Sequence, residues 1–323
     1  MIARFSLLLL FTVSVSAFAQ PADTRYPAKP IRMVIPYAAG GPPDGIARVL
    51  GDKVSPAWGH NFVYDNRGGS GGVVGANIVA KAAPDGYTVL LHTAAFAGMP
   101  YFYKQLPYDT LRDFTPVTLV AKNVGYAMLV TPKLPMKSVK DFVAYAQANP
   151  GKLNFGSPGI GSVGHLAAEL FASAAKLKMM HVPYTGIPAM ITDIIGGQIE
   201  IGFPAAVAAV GLVAAGRVQV LGITGEKRWE RLPNVPTLDE AGLKGFKFVS
   251  WYGLWFPAGT PPAYVRRMRD DITAAVKDAT VRRRLDEQGL DAIGSTPEEL
   301  ARTVTDEMAM NKELTARIGI VAQ

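Results

Sequence analysis

The chain has 323 residues, 49% of them hydrophobic and 18% charged, with a formal net charge of +7 and no cysteine. That length suits about two domains, and the composition supports a large core and excludes a disordered chain. The missing cysteine excludes disulfides, thiolate metal sites and cysteine nucleophiles.

The first residues, MIARFSLLLLFTVSVSAFAQ, carry one basic residue, a short apolar run and Ala17-Phe18-Ala19 as a cleavage site. This predicts a signal peptide over 1–19 and a mature chain beginning near Gln20. The run is short for a membrane span, and no cysteine stands at the cut to take a lipid. A secreted or periplasmic soluble protein follows.

Residues 31–36 read as a buried strand, followed by the loop YAAGGPPD and a helix from about Gly45 to Val54. A strand is expected at 61–64. RGGSGGVVG opens a helix to about Ala82, and YTVLLHT is another strand after the turn Pro84-Asp85-Gly86. The middle repeats the style. Ser138–Ala148 is helical, KLNFGS a strand, and GSPGIGSVG leads into the helix HLAAELFASAA. MMHVPY, QIEIGF and VQVLGIT are strands, with GIPAMITDII and AAVAAVGLVAA as the helices between them. Strands alternating with helices point to parallel βαβ units. The last third is mostly helical: Pro261–Lys277, Ala279–Gln288, and a helix opened by Thr296 as N-cap with Pro297 in its first turn.

Two long apolar extended segments, Phe114–Val130 and Phe246–Gly259, enclose about 115 residues with their own strand–helix pattern. They predict one lobe, 20–124 with 246–323, and a second lobe, 125–245, inserted into it. Two crossings between lobes make a hinge, and hinges close around ligands.

Gly159, Gly161 and Gly164 spell G-x-G-x-x-G, a dinucleotide fingerprint. The acid that such a site needs about 20 residues on is missing, because MMHVPY ends in Tyr184-Thr185-Gly186. A glycine-rich turn into a helix still presents free backbone N–H groups at a positive dipole end. Ser157 and Ser162 add hydroxyls, so the loop reads as a carboxylate cradle. The loop Tyr37-Ala38-Ala39-Gly40-Gly41 has the same design in the other lobe. Asp44 either braces that loop or meets the ligand, and Thr93 is either a hydroxyl donor or a helix cap. GGSGG matches G-x-S-x-G around Ser70, with Asp109 and His165 in triad order, but a run of glycines makes chance matches easy. The four histidines show no metal spacing, and no metal or cofactor is expected. Of Tyr37, Phe96, Phe203, Trp251, Tyr252 and Trp255, most are assigned to the core and one or two to the cleft. Arg266-Arg267 with Arg269 and Arg282–Arg284 interleave with acids and read as solvated helix faces, not a nucleic-acid patch. A net positive chain favours anionic ligands on approach.

The stretches YPAKPIRMVIPYAAGGPPDGIAR, NRGGSGGVVGANIVAKAAPDGYTVLL, LNFGSPGIGSVGHLAAELF, HVPYTGIPAMITDIIGGQIEIGF, RWERLPNVPTLDEAGLKGF and WYGLWFPAGTP span nearly the whole mature chain in order. As a set, the chain resembles the Bug-type solute-binding receptors of tripartite tricarboxylate transporters. The resemblance implies an α/β class II periplasmic binding protein fold, two lobes joined by two crossing strands with the ligand cleft between them. It implies capture of a small carboxylate by backbone N–H groups, hydroxyls and waters, delivery to two membrane subunits, no catalysis and a monomer. Carried over, the contacts fall on Tyr37 to Gly41, on Thr93 and on Ser157 to Ser162. Two departures stand out: Tyr37 replaces a common Phe, and Phe203-Pro204 stand where many relatives place an acid or amide. With Phe203 and Pro204 facing the ligand, the site leans from amino acids toward a carboxylate with an apolar or aromatic body. A ligand sensor, and a hydrolase using Ser70, are the other readings.

Overall fold

The computed structural model describes residues 26–159, 162–184 and 186–318. The expected signal peptide and Gly161 of the second loop lie outside the described residues. The first part of the chain forms β1 (Ile31–Ile35), α1 (Pro42–Trp58), β2 (Phe62–Asn66), α2 (Val73–Ala80), β3 (Thr88–Thr93), α3 (Ala95–Phe102) and β4 (Phe114–Asn123). The middle forms β5 (Ala127–Val130), α4 (Val139–Ala148), β6 (Leu153–Ser157), α5 (Val163–Ala174), β7 (Met179–Pro183), α6 (Ile187–Gly196), β8 (Ile201–Gly202), α7 (Val210–Ala214) and β9 (Gln219–Ile223). Then come β10 (Trp251–Pro257), α8 (Pro262–Lys277), α9 (Ala279–Asp286), β11 (Leu290–Ala292) and α10 (Pro297–Ile318).

The strands form two sheets, ordered β11-β4-β10-β3-β1-β2 and β7-β6-β8-β5-β9. The central strands are buried on both faces, as sheets between helical layers are, while the edge strands β2 and β7 are partly exposed. In β1, Met33 and Ile35 face α1, α8 and α9, while Val34 faces α2, α3 and α10. In the second sheet, Phe155 and Ile201 pack with Phe142 of α4 and Phe171 of α5, and Ala127 and Leu129 pack with Met190 and Ile194 of α6. Local signals set the helix starts. Ser138 caps α4 through Asp141 N–H at 3.1 Å, and Asp278 caps α9. At α10, Thr296 Oγ1 accepts from Glu299 N–H while Glu299 accepts from Thr296 N–H, a reciprocal capping box.

Strand direction places the loops. β1 is parallel to β2 and β3, and β10 is antiparallel to both β3 and β4, so β4 runs with β1 and β3. The C-terminal ends of β1 and β3 therefore point the way β4 leaves its sheet. After Asn123 only Val124-Gly125-Tyr126 precede β5 in the second sheet. β5 is antiparallel to β8, and β6 is parallel to β8. The C-terminal ends of β6 and β8 thus point back toward the same crossing. The first sheet carries two reversed strands, β10 and the edge strand β11, and the second carries one, β5; β10 and β5 stand at the equivalent place in the order.

The crossing segments are bonded to each other. Asn123 N–H donates to Ser250 O, and Ser250 N–H donates to Asn123 Oδ1, both at 2.8 Å. The hydroxyl of buried Thr224 accepts from Tyr126 N–H at 2.8 Å and donates to Phe248 O at 2.5 Å. Thr224→Val keeps the shape and leaves a buried N–H and C=O unpaired. We expect a loss of about 2–6 kcal/mol, at about 1–3 kcal/mol per orphaned group. Urea denaturation checks this; an unchanged midpoint would refute it. A further contact spans the lobes: α10 packs Leu300 and Val304 into the first lobe and Leu314 into the core of the second.

Some elements differ from expectation. α1 starts at Pro42 and runs past Pro56 to Trp58, because proline suits the first helical turn. The stretch AAVAAVGLVAA splits into a 3-10 turn, Ala206–Ala209, and the short α7. The long segment Phe114–Val130 breaks into β4 and β5. The sequence assigns nothing to α3 or β11.

Candidate functional site

In the first lobe the chain leaves β1 at Tyr37. Asn66 at the end of β2 donates from Nδ2 to Tyr37 O at 3.1 Å, and Arg67 N–H donates to Ile35 O at 2.8 Å. The neighbouring strand end thus fixes where the loop starts. The Tyr37 hydroxyl lies 2.7 Å from Thr93 Oγ1 and 3.4 Å from His92 Nδ1. Thr93 Oγ1 also accepts from Ala95 N–H at 3.2 Å, so it closes the first turn of α3. Burial raises the Tyr37 phenol pKa and holds the fully buried His92 neutral, at about 4. Ala38, Ala39 and Gly40 are exposed, and Gly41 is partly so. The buried Asp44 carboxylate accepts from Gly40 N–H at 3.0 Å and from Arg48 at 2.9 and 3.2 Å. The Arg48 guanidinium holds that carboxyl below the usual carboxylate range, against the cost of desolvation. These bonds turn Asp44 into the loop, which leaves the backbone of residues 38–41 outward.

In the second lobe Ser157 ends β6 fully buried. Its Oγ lies 2.7 Å from His181 Nε2, 3.1 Å from Gly159 N and 3.0 Å from Gly159 O. Its hydrogen-bonding capacity therefore goes to the loop and to β7. Ser162 caps α5, its Oγ accepting from His165 N–H at 3.3 Å. By helix geometry the first-turn amides of α5 point out of the helix end. Gly164 lets β8 approach that end: a Cβ there would lie 3.1 Å from Phe203 O. The structure thus brings Ser157, Gly159, Ser162 and the Phe203 backbone together. The Phe203 ring itself is in the core, 5.4 Å from Phe171. Pro204 is buried, and its carbonyl accepts from Ala127 N–H at 2.8 Å. Core packing and strand pairing thus take both residues.

Phe96, Trp251, Tyr252 and Trp255 are also buried in the first lobe. The alternative triad is not assembled. Asp109 Oδ1 accepts from the amides of Leu111 and Arg112, while the His165 ring packs on His181 and Phe155 in the other lobe, away from exposed Ser70. A cavity of about 250 Å³ lies at the crossing, lined by Lys122, Asn123, Lys227 and Trp229 among others, and touches neither loop. Among the described residues no group of three His, Cys, Asp or Glu side chains could hold a metal.

Sequence reasoning missed Asn66, His92 and His181. Asn66 and His92 stand at or next to the ends of β2 and β3, a position that was the available signal, whereas His181 lies in the middle of the edge strand β7 and carries none.

Residues 46–320 match the tripartite tricarboxylate transporter family receptor. The chain belongs to this family. A member from Pseudomonas sp., the "UPF0065 protein in tcbD-tcbE intergenic region", is 37% identical over 287 residues, 88% of this chain and 85% of that one. The family receptor also resembles solved structures along most of its length. "Structure of periplasmic binding protein BugD" is 32% identical with a TM-score of 0.77, covering 92% of this chain and 100% of that one. "R. palustris Rpa4515 with adipate" is 33% identical with a TM-score of 0.80, again over 92% and 100%. The fold is the class II periplasmic binding protein fold, two α/β lobes joined by two crossing strands.

Proposed function

We propose that the protein captures a small carboxylate between its lobes in the periplasm and delivers it to the membrane subunits of a tripartite transporter, acting as a receptor and not as an enzyme. Residues 20–124 and 246–323 form one lobe and 125–245 the other, with residues 1–19 removed as a signal peptide. The observation that carries the reading is that both lobes end their parallel strands in neutral, backbone-rich loops aimed toward one crossing. Ala38, Ala39 and Gly41 offer amides and Thr93 a hydroxyl from one side, on a loop that Tyr37 starts and that Gly40 ties to Asp44. From the other side come the Val163 and Gly164 amides at the start of α5, on a turn closed by Gly159 and Ser162. Asp44 and Ser157 hold these loops in shape, and Phe203 and Pro204 back the second one. Backbone N–H groups at a helix start suit a carboxylate without any arginine. The adipate held by the related R. palustris Rpa4515 fits that chemistry.

The test is thermal unfolding of the mature protein against adipate, succinate, citrate, glutamate, benzoate, nicotinate and terephthalate, with NAD as control. A bound acid at 100 times its Kd adds about 2.7 kcal/mol, a rise in Tm of roughly 5 °C for a chain of this size. A shift with NAD and with none of the acids would overturn the proposal.

A further inference from the structure

Neither loop carries a lysine or arginine: residues 37–41 and 157–162 are all neutral. An anion held there has hydrogen-bond donors and helix ends but no formal counter-charge. Directly behind the second loop sit two histidines. His181, on β7, has Nε2 2.7 Å from Ser157 Oγ, the atom that accepts from Gly159 N–H. One hydroxyl therefore separates the imidazole from the loop backbone. His165, in the first turn of α5, has its ring centroid 4.3 Å from that of His181, and Phe155 of β6 packs on both rings at 6.0 and 4.9 Å.

We propose that His165 and His181 are a proton-accepting pair for ligand capture: a carboxylate held at the second loop draws one proton from solvent onto the two imidazoles. The inference rests on the receptor reading above and adds the group that balances the ligand's charge.

In the structure both rings are held neutral. Burial, reinforced by His181, pushes His165 down to about 4, and burial lowers His181. Glu169 of α5 stands 3.8 Å from His165 Nε2, with its own pKa raised by burial. β6 presents Phe155 and Ser157, both uncharged, and β7 is the edge strand of its sheet. No cation is close enough among the described residues to shift either histidine. A nearby anion raises an imidazole pKa by about 1–3 units. Two imidazolium rings in contact would repel, so the pair titrates as a unit and takes one proton, not two. Because the pKa is raised in the complex, affinity increases as pH falls from the bound value toward the free one. Above about pH 7 it is flat.

The experiment is titration calorimetry with adipate, or with the panel acid giving the largest Tm rise, near pH 6 in two buffers of contrasting ionisation enthalpy. The expected result is uptake of a measurable fraction of a proton per ligand, with affinity rising about three- to tenfold between pH 7.5 and 5.5. A ligand carboxyl whose own pKa rises on burial would also take up a proton, so the histidine variants decide where the proton goes. His181→Gln keeps a partner for Ser157 and cannot take a proton. It and His165→Gln should each reduce the uptake, a readout that a merely structural role would not move. Binding without uptake in the native protein overturns the pair and leaves the receptor reading standing. Uptake undiminished in both variants also overturns it. Failure of every acid to bind sinks both readings together.

Discussion

Gly125→Ala is expected to lower the unfolding free energy by about 3–5 kcal/mol and to weaken ligand binding with it. Gly125 has φ of +121°, outside what an L side chain readily adopts. A Cβ there would meet Gly225 N at 2.5 Å and Gly225 Cα at 2.9 Å, both backbone atoms of the turn that follows β9 in the second lobe. Strained φ costs on the order of 1–3 kcal/mol, and a clash that forces two backbones apart adds about 1–3 kcal/mol. From the other side, a Cβ at Gly225 would lie 2.1 Å from Val124 O. The crossing at Val124-Gly125 packs on the turn after β9 through two glycines because only bare backbone fits. Urea denaturation followed by tryptophan fluorescence measures the stability, and calorimetry the affinity. A variant with native midpoint and native affinity would show that the crossing tolerates separation.

Asp44→Ala should act more on binding than on the fold. The carboxylate of Asp44 accepts from Gly40 N–H and is gripped by Arg48, whose side chain is itself half-exposed. Losing a charged acceptor for a backbone amide costs about 1–3 kcal/mol of stability. The exposed half of the ion pair adds little in water. The loop of residues 38–41 loses its brace, and we expect at least a tenfold rise in Kd. The pH behaviour follows from sign. The folded pKa of Asp44 is depressed, so its contribution is present above the ordinary carboxyl value of about 3.9 and is lost as pH falls through the folded value. Native protein and Asp44→Ala should therefore differ in stability at pH 7 and converge in strong acid. A constant difference across that range would assign the loss to packing.

Much of this is legible in the sequence. Periodicity and turn residues locate β1, β3, β6, α5 and α8, whose signals are local. The cradle at Ser162 is readable because capping is a short-range pattern. What stays hidden depends on neighbours far along the chain. Asn66 matters because β2 lies beside β1, and His181 matters because β7 lies beside β6. Ser157 and Phe203 read as ligand-facing from their place after a strand. Nothing local shows that Ser157 would be fully buried against His181 or that Phe203 would point to Phe171. α3 carries Pro100 inside it, which masks a helix held by packing on α10.

The bonded neighbours Asn123 and Ser250, 127 positions apart in sequence, have a consequence for how the chain folds. β4 and β10 pair along seven residue pairs of β10, yet the inserted lobe separates them by a loop more than a hundred residues long. Pairing at that separation is slow to nucleate, whereas closure entropy grows only logarithmically with length. Folding of the second lobe, which brings the ends of that loop together, is therefore expected to speed the pairing of β10 with β4. Joining Asn123 to Ser250 through a two-residue turn would convert the same strands into a local hairpin. The excised lobe would fold faster from a simpler topology. Its cost would be the apolar end of α10, where Met310 and Leu314 would face water for want of the lobe they pack against.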